Sequence, residues 1–503
     1  MTPVAPPRRV VILGGGTAGW MAANLLIHQW GGQGTIVELI ESPAIGIIGV
    51  GEGSTPQLKA FFDRIGVSEA EWMPRCNATY KAGIEFVGWS DKPGYERYFH
   101  PFPTELDQRF EPAFFHATRM RRTGRDVPAH PDAFYLATRV AREGRAPVAP
   151  PNFPFDFRYG YHFDAHLVGA TLRDIAVRRG AVHVQATIAE VTRAANGDIA
   201  ELVAQDGRRF TADLFIDASG FRATLIEGAL GEPHRSFADV LFNDRAVVTP
   251  TAVPAEGARA QTTATAATAG WIWHIPLTGR VGNGYVHSSR YIDPDSAAAE
   301  LRAHLGLAPD TEVRHLTMRC GRIERSWVGN CLAIGLAQGF LEPLEATALH
   351  IVLTTLDQFV EAWEQDDRDR FNADIGARYD GIRDYMVGHY RLAGRRDTPY
   401  WRDSTSNDRL SDSLKRVITA WFTCEDIAQE VAQQGIDGYY PAMSWHAMLA
   451  GYGNFPASAK MRPPAPDEPR PDMAAVDRFV GGCAMNFPSH AAALASLLPN
   501  GAA

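Results

Sequence analysis

The chain has 503 residues, 45% hydrophobic and 21% charged, which is material for two or three packed units at roughly 150 residues each. Its 49 Lys and Arg against 58 Asp and Glu give a formal charge of −9, and no stretch gathers the basic residues into the stripe a phosphate backbone demands, so nucleic acid is not an expected partner. No window approaches the roughly 18 consecutive apolar residues of a membrane span, and the five cysteines (Cys76, Cys320, Cys331, Cys424, Cys483) are scattered without a CxxC pair, which argues against a disulfide framework or a zinc knuckle.

The apolar run after Met1 to Arg9 breaks at Gly14, too early for a secretion signal, and the expected location is the cytoplasm with reduced, mostly buried thiols. HExxH, GxxxxGK[ST] and GxSxG are all missing, which removes the commonest zinc protease, nucleotide hydrolase and serine esterase readings.

Arg9 to Leu13 is a β-branched and leucine run that stops at Gly14-Gly15-Gly16-Thr17-Ala18-Gly19, and Trp20 to Trp30 continues with helical spacing of apolar residues. Strand, tight turn and helix in this order form a dinucleotide cradle. Gly14 permits the turn, Gly16 lets a pyrophosphate approach the backbone, Gly19 lets helix and strand pack, and the helix amino end offers N–H groups to phosphate. Thr35 to Ile40 is a second strand ending at Glu41, 22 residues past Gly19, where an acid can accept from ribose hydroxyls. Far downstream, Ala212 to Gly220 is an apolar strand delivering a small-residue turn, a late return to the nucleotide sheet that favours FAD over NAD.

Residues 90–160 are crowded with Pro, Phe, Tyr and Arg without clean periodicity and read as a long excursion over the sheet. Phe163 to Arg179 returns to helical spacing. Ala181 to Glu201 reads as strands around an Asn196-Gly197 turn, and Ala252 to Gly270, rich in Thr and Ala, as loop. From Leu349 the positions Val352, Leu353, Leu356, Phe359, Val360 and Trp363 define an amphipathic helix. Further helices follow to about Leu449, then extended proline-rich chain over Pro456 to Pro471.

Gly270-Trp271-Ile272-Trp273-His274-Ile275-Pro276 alternates as a strand does, placing Trp271, Trp273 and Ile275 on one face and ending in a proline that stops the ladder. Joined to the FAD fingerprint, this WxWxIP sequence resembles the signature of the flavin-dependent halogenases of the tryptophan halogenase family. The resemblance runs from Gly14 to about Trp401 through Gly49-Val50-Gly51-Glu52, Tyr161-His162-Phe163-Asp164-Ala165, Asp217 to Arg222, Gly284-Tyr285-Val286, Asn330 to Leu336, Gly339 to Glu345, Arg383-Asp384-Tyr385 and His389-Tyr390.

It implies an α/β fold with an FAD-binding, Rossmann-like core of the flavoprotein monooxygenase type and a mixed second sheet over residues 1–360. A mainly helical carboxy-terminal region, 361–503, would cover the substrate pocket. The implied cofactor is FAD, delivered as FADH2 by a separate NADH-dependent flavin reductase, with Gly14, Gly16, Thr17, Ala18, Gly19, Glu41, Gly49, Val50, Ile188, Leu336 and Leu349 as its contacts.

In the family, reduced flavin and dioxygen convert a bound halide to hypohalous acid, which travels through an internal tunnel to a lysine. By resemblance that lysine is Lys81, which either hydrogen-bonds hypohalous acid or forms a haloamine. Its neighbours Tyr80, Ile84, Phe86 and Val87 suit a partly desolvated amine. Glu345 matches the catalytic glutamate, a carboxylate able to steady the arenium charge and take its proton or to orient the halogen donor.

Thr347 and Ala348 fall at the halide position, at the amino end of a helix. Here Glu345-Ala346-Thr347-Ala348 departs from the usual Glu-Ser-Thr followed by Gly or Ser, which bears on the choice between bromide and chloride.

His100-Pro101-Phe102 resembles the segment whose rings sandwich an indole, and Trp445 is the candidate for the third wall. Relatives acting on free tryptophan hold its amino acid end with a Tyr-Tyr pair and a following glutamate. This chain has Tyr439-Tyr440, but Pro441 to Gly451 contains no acid, which shifts the expected substrate toward indole or another small neutral aromatic. The alternatives are a tryptophan halogenase proper, a halogenase of a carrier-tethered ring, an FAD-dependent aromatic hydroxylase, and a flavin-binding protein without turnover. The expected assembly is a monomer or homodimer.

Overall fold

The computed structural model describes residues 4–44 and 51–498, and the chain divides into two compact units, each assembled from three segments. The first comprises residues 1–78, 163–238 and 318–380; the second comprises 79–162, 239–317 and 381–503. Gly49 and Val50 lie outside the described residues.

The first unit is built on a six-stranded sheet whose order is Trp327–Val328, Cys331–Ala333, Leu214–Asp217, Arg9–Leu13, Ile36–Glu41 and Val182–Gln185. All pairings are parallel except that of the first two strands. Central strands of this kind are buried on both faces, which is why Val10 to Leu13 and Leu214 to Ile216 read as unbroken apolar runs. The helix Thr17–Trp30 carries the chain from Arg9–Leu13 to its neighbour on one side, while Leu214–Asp217 joins on the other. The order therefore reverses beside the glycine turn, the place where open α/β sheets take their ligands.

Helix Ala165–Arg178 starts at Asp164, whose carboxylate accepts from the N–H groups of His166 and Leu167. Strands Ile188–Arg193 and Ile199–Ala204 form a hairpin about Asn196-Gly197, with Gly197 at φ +91°. Helix Ala348–Gln365 buries Val352, Leu353, Leu356, Phe359 and Val360 on one stripe.

The second unit holds a seven-stranded sheet in the order Arg314–Thr317, Arg245–Thr251, Val281–His287, Gly270–Pro276, Thr262–Ala267, Gly83–Val87 and Arg97–Pro101. Only the pairing of Thr262–Ala267 with Gly83–Val87 is parallel. One face is covered by helix Pro294–Leu305, whose Ala297, Ala298 and Leu301 pack on Val247, Ile272 and Tyr285.

Two stretches differ from the sequence expectation. The Thr- and Ala-rich tract supplies the strand Thr262–Ala267, because small side chains are what the tryptophan strand requires across from it: Ala264 pairs with Trp273 and Ala266 with Trp271. Within the aromatic excursion lies the 18-residue helix Glu105–Arg122, started by a capping box between Thr104 and Asp107 and continued through Pro112. Its internal proline and its Arg and Phe content hide the period, and the Thr104 to Asp107 spacing was the available signal.

Candidate functional site

In the first unit the glycine turn takes its shape from sterics. Gly14 sits at φ +124°, and a β-carbon there would lie 2.1 Å from the Ala218 carbonyl oxygen, so only glycine lets the two sheet turns meet. Gly19 approaches the Gly14 carbonyl as closely. At Gly16 the position of a β-carbon faces open space, and the helix begins there with no side chain capping its first turn. The first-turn N–H groups and positive dipole end thus open onto a cradle that fits a pyrophosphate.

Glu41, at the end of its strand, accepts from His183 Nε2 at 2.7 Å through one oxygen and lays the other against Gly15, the placement a ribose hydroxyl partner needs. Ala186 donates its N–H to the Glu41 carbonyl, and Ile188 opens the next strand two residues on. The turn after Cys331–Ala333 brings Gly335, beside Leu336, up against Ala18 and Val352, in the helix that carries Leu349. Ala18, Leu336 and the start of that helix are therefore neighbours.

Asp217 organises the opposing turn. Its buried carboxylate accepts from the backbone N–H and hydroxyl of Ser219 and from the N–H groups of Leu225 and Ile226, at 2.6–3.0 Å. Burial raises its pKa while these four bonds oppose the shift. Glu345 ends the short turn Pro343–Glu345 and is buried, with 5% of its surface exposed. Ala346 follows at φ +55°, then the buried Thr347 and the exposed Ala348 begin helix Ala348–Gln365, whose first turn carries no side-chain cap. That uncapped end has the N–H groups and dipole an anion needs.

In the second unit Lys81 is 0% exposed. It ends the strand Thr79–Lys81, which pairs antiparallel with the strand of Tyr161: Thr79 faces His162, Tyr80 faces Tyr161 and Lys81 faces Gly160. Thr79 Oγ1 donates to the Pro276 carbonyl at 2.7 Å, tying this strand to the end of WxWxIP, and with its one proton so used it accepts from His162 Nδ1 at 3.0 Å. His162 Nε2 meets Thr262 Oγ1 at 2.9 Å. Burial, then the positive charge of Lys81, hold the His162 pKa well below the usual imidazole range, so the group beside the lysine is neutral.

Lys81 Nζ lies 5.3 Å from the centroid of the Phe102 ring. His100, two residues before Phe102, joins Ser444 through Nε2 at 3.1 Å, and Tyr385 touches both its ring and the indole of the buried Trp445. Phe102 thus stands beside Lys81, and His100 is linked through Ser444 and Tyr385 to Trp445. Trp271 and Trp273 are buried on the sheet face opposite Ile272, their ring centroids 6.2 Å apart.

A family model described as tryptophan halogenase matches residues 9–466. The chain belongs to the tryptophan halogenase family. It is 37% identical over 515 aligned residues to the 7-chloro-L-tryptophan 6-halogenase of Kutzneria sp. (strain 744), an alignment covering 96% of this chain and 98% of that one. Its structure is similar to that of a tryptophan 6-halogenase from Streptomyces toxytricini, with a TM-score of 0.84 at 33% identity over 98% of this chain and 100% of that one. It is similar also to a flavin-dependent halogenase from Brevundimonas sp. BAL3, with a TM-score of 0.82 at 32% identity over 99% and 100% of the two chains.

As a tryptophan halogenase family member the chain is an enzyme, a flavin-dependent halogenase using FAD as FADH2 together with halide. The family implies a separate flavin reductase and an aromatic substrate. Its α/β architecture with a Rossmann-like FAD core is the one expected from the sequence. Among the described residues no helix is long and apolar enough to cross a membrane. The sequence assigns no positioning role to Thr79, His162, Asp217, Tyr385 or Ser444, although all but Ser444 lie within its recognisable motifs. Thr79, His162, Tyr385 and Ser444 act through partners distant in the chain, whereas Asp217 binds groups only two to nine residues away.

Proposed function

We propose that this chain halogenates the ring of indole or a small indole derivative, with bromide or chloride as the halogen source. Bound reduced flavin, with dioxygen, supplies the two-electron oxidation that turns halide into hypohalous acid. Gly14, Gly16, Thr17, Ala18, Gly19 and Glu41 hold the dinucleotide, with Ile188, Leu336 and Leu349 as apolar contacts and Gly49 and Val50 completing the set. Thr347 and Ala348 bind the halide through the open helix end. Lys81 presents the electrophilic halogen, either by donating a hydrogen bond to hypohalous acid or as a haloamine formed with loss of water. Glu345 accepts the proton that leaves the ring.

The single observation carrying this reading is a lysine with no exposed surface, set over Phe102 within an aromatic cluster. An amine there has no ordinary surface role, and aromatic walls suit a flat, electron-rich ring. The preference for a neutral indole over tryptophan rests on the tyrosine pair. Tyr440 is stacked on Tyr385 at 3.5 Å and 8°, and Tyr439 packs over Gly381, so both rings are engaged in packing, with no acid from Pro441 to Gly451 to meet an ammonium.

The test supplies flavin reductase, NADH, dioxygen and indole, tryptophan or phenol, with bromide, chloride or no halide, and follows products by mass spectrometry. Halogen isotope pairs on indole are expected. Hydroxylated product without halide would make it a hydroxylase, and no product in any arm would leave a flavin-binding protein. Lys81→Ala abolishes halogenation with flavin binding intact, and Glu345→Gln slows it by about 100-fold with the same product; unchanged rates would reassign both residues to structure.

A further inference from the structure

The strand Thr79–Lys81 has one side hydrogen-bonded to its neighbour across His162, Tyr161 and Gly160. Alternate N–H groups along a strand point the same way, and on the other side those of Tyr80 and Ala82 flank Lys81. Ala82 N–H donates directly to the Ala260 carbonyl at 2.8 Å. Tyr80 N–H donates instead to Nε2 of His490 at 3.2 Å, and Nδ1 of the same ring lies 2.7 Å from the carbonyl of Ala258.

Ala258 and Ala260 are two residues apart, so the imidazole is a long rung in the position where a second direct bond would stand. A carbonyl only accepts, so Nδ1 carries the proton; a backbone N–H only donates, so Nε2 carries the lone pair. The ring must be neutral, because an imidazolium would set one N–H against another.

His490 arrives from the last helix, His490–Ala495, beyond residue 466 where the family match ends. It is held firmly. Its own N–H donates to the Gly144 carbonyl, Ala146 N–H donates to the Pro488 carbonyl, and Phe487 packs between Phe153 and Phe157. His490 is 2% exposed, and its ring lies against the Tyr80 ring, 6.1 Å between centroids. Burial lowers its pKa, in keeping with the neutral form.

We propose that His490 is a positioning residue for halogen transfer: as a neutral imidazole protonated at Nδ1, it completes the open side of the Lys81 strand and fixes where Lys81 presents the halogen. This rests on the role proposed for Lys81. A displacement of about 1 Å in such a group is worth up to about 100-fold in rate.

His490→Phe keeps the ring and removes both bonds, while His490→Gln keeps an acceptor for Tyr80. Each is assayed as the full chain with reductase for kcat and KM with indole, for FAD affinity, and for hypohalous acid escaping to a diffusible 1,3-diketone trap. The expected result for His490→Phe is a fall in kcat of about 10-fold or more, unchanged KM and flavin affinity, and more trapped hypohalous acid per flavin oxidised. His490→Gln recovers most of the loss.

Wild-type kcat and trap yield in His490→Phe would overturn the proposal. Lys81→Ala, run in parallel, separates the two readings: if it halogenates normally, the Lys81 role fails; if it is inactive while His490→Phe is unaffected, the positioning role alone fails. The ring 15N shifts of His490 in the unmutated holoenzyme at pH 7 give a check that needs no variant. The neutral form protonated at Nδ1 supports the rung, and the Nε2 tautomer or an imidazolium rules it out.

Discussion

Ala346 holds a φ of +55° between Glu345 and Thr347, in a region where an L-residue pays about 1–2 kcal/mol. The short turn Pro343–Glu345 needs that reversal to start the next helix at Ala348, so the strain is stored at the proposed halide and carboxylate positions. Ala346→Gly relieves it and gives up some unfolded-state entropy, for a net gain of about 0.5–1 kcal/mol, read as a higher denaturant midpoint. A loss would mean that the turn rests on contacts of the Ala346 methyl.

Glu52 offers a second residue-scale test. Burial, then the Asp164 carboxylate, push its carboxyl from 4.5 up to about 7. The folded chain therefore keeps this proton at pH values where the unfolded chain has released it, and stability falls as pH rises from about 4.5 to 7. The Glu52→Gln variant lacks that slope and exceeds the wild type by about 2–3 kcal/mol at pH 8, the difference shrinking toward pH 4.5. A difference independent of pH would show that Glu52 is not the group titrating.

At the scale of elements, the strand Gly270–Pro276 accommodates Trp273 because both neighbouring strands are small where its indole lies. Ala264 faces Trp273 on one side and Gly284 on the other, and a β-carbon at Gly284 would come within 2.1 Å of the Trp273 ring. Gly284→Ala forces the indole aside and costs about 1–3 kcal/mol, with a shifted tryptophan emission in the folded state; unchanged emission and stability would show that the sheet yields there. The same constraint explains why the Thr- and Ala-rich tract reads as loop in isolation. A strand composed of residues chosen to leave room carries little hydrophobic signal of its own, and its identity comes from the neighbour it accommodates. Helix Glu105–Arg122 was hidden in the opposite way, its cap legible at Thr104 and Asp107 but its period blurred by Pro112.

For the whole molecule, the dinucleotide cradle and the buried lysine fall in different compact units, and each unit is interleaved in sequence. The proposed partner, a flavin reductase, is expected to act through diffusible FADH2. Chemically reduced FAD in place of reductase and NADH is expected to give halogenated product in proportion to the flavin added. Turnover only with the reductase present would instead point to a complex that channels the flavin.

Sequence by itself determined the local chemistry of the glycine turn, because Gly14, Gly16 and Gly19 lie within six residues and their spacing is set by backbone sterics. It also carried WxWxIP and the family, through motifs that are each contiguous. Tertiary structure alone decided what surrounds Lys81. His162 is 83 residues from Thr79, and His490 is 410 residues from Tyr80. A hydrogen bond is made between groups that meet in space, and no period, propensity or spacing along the chain records a meeting across such distances.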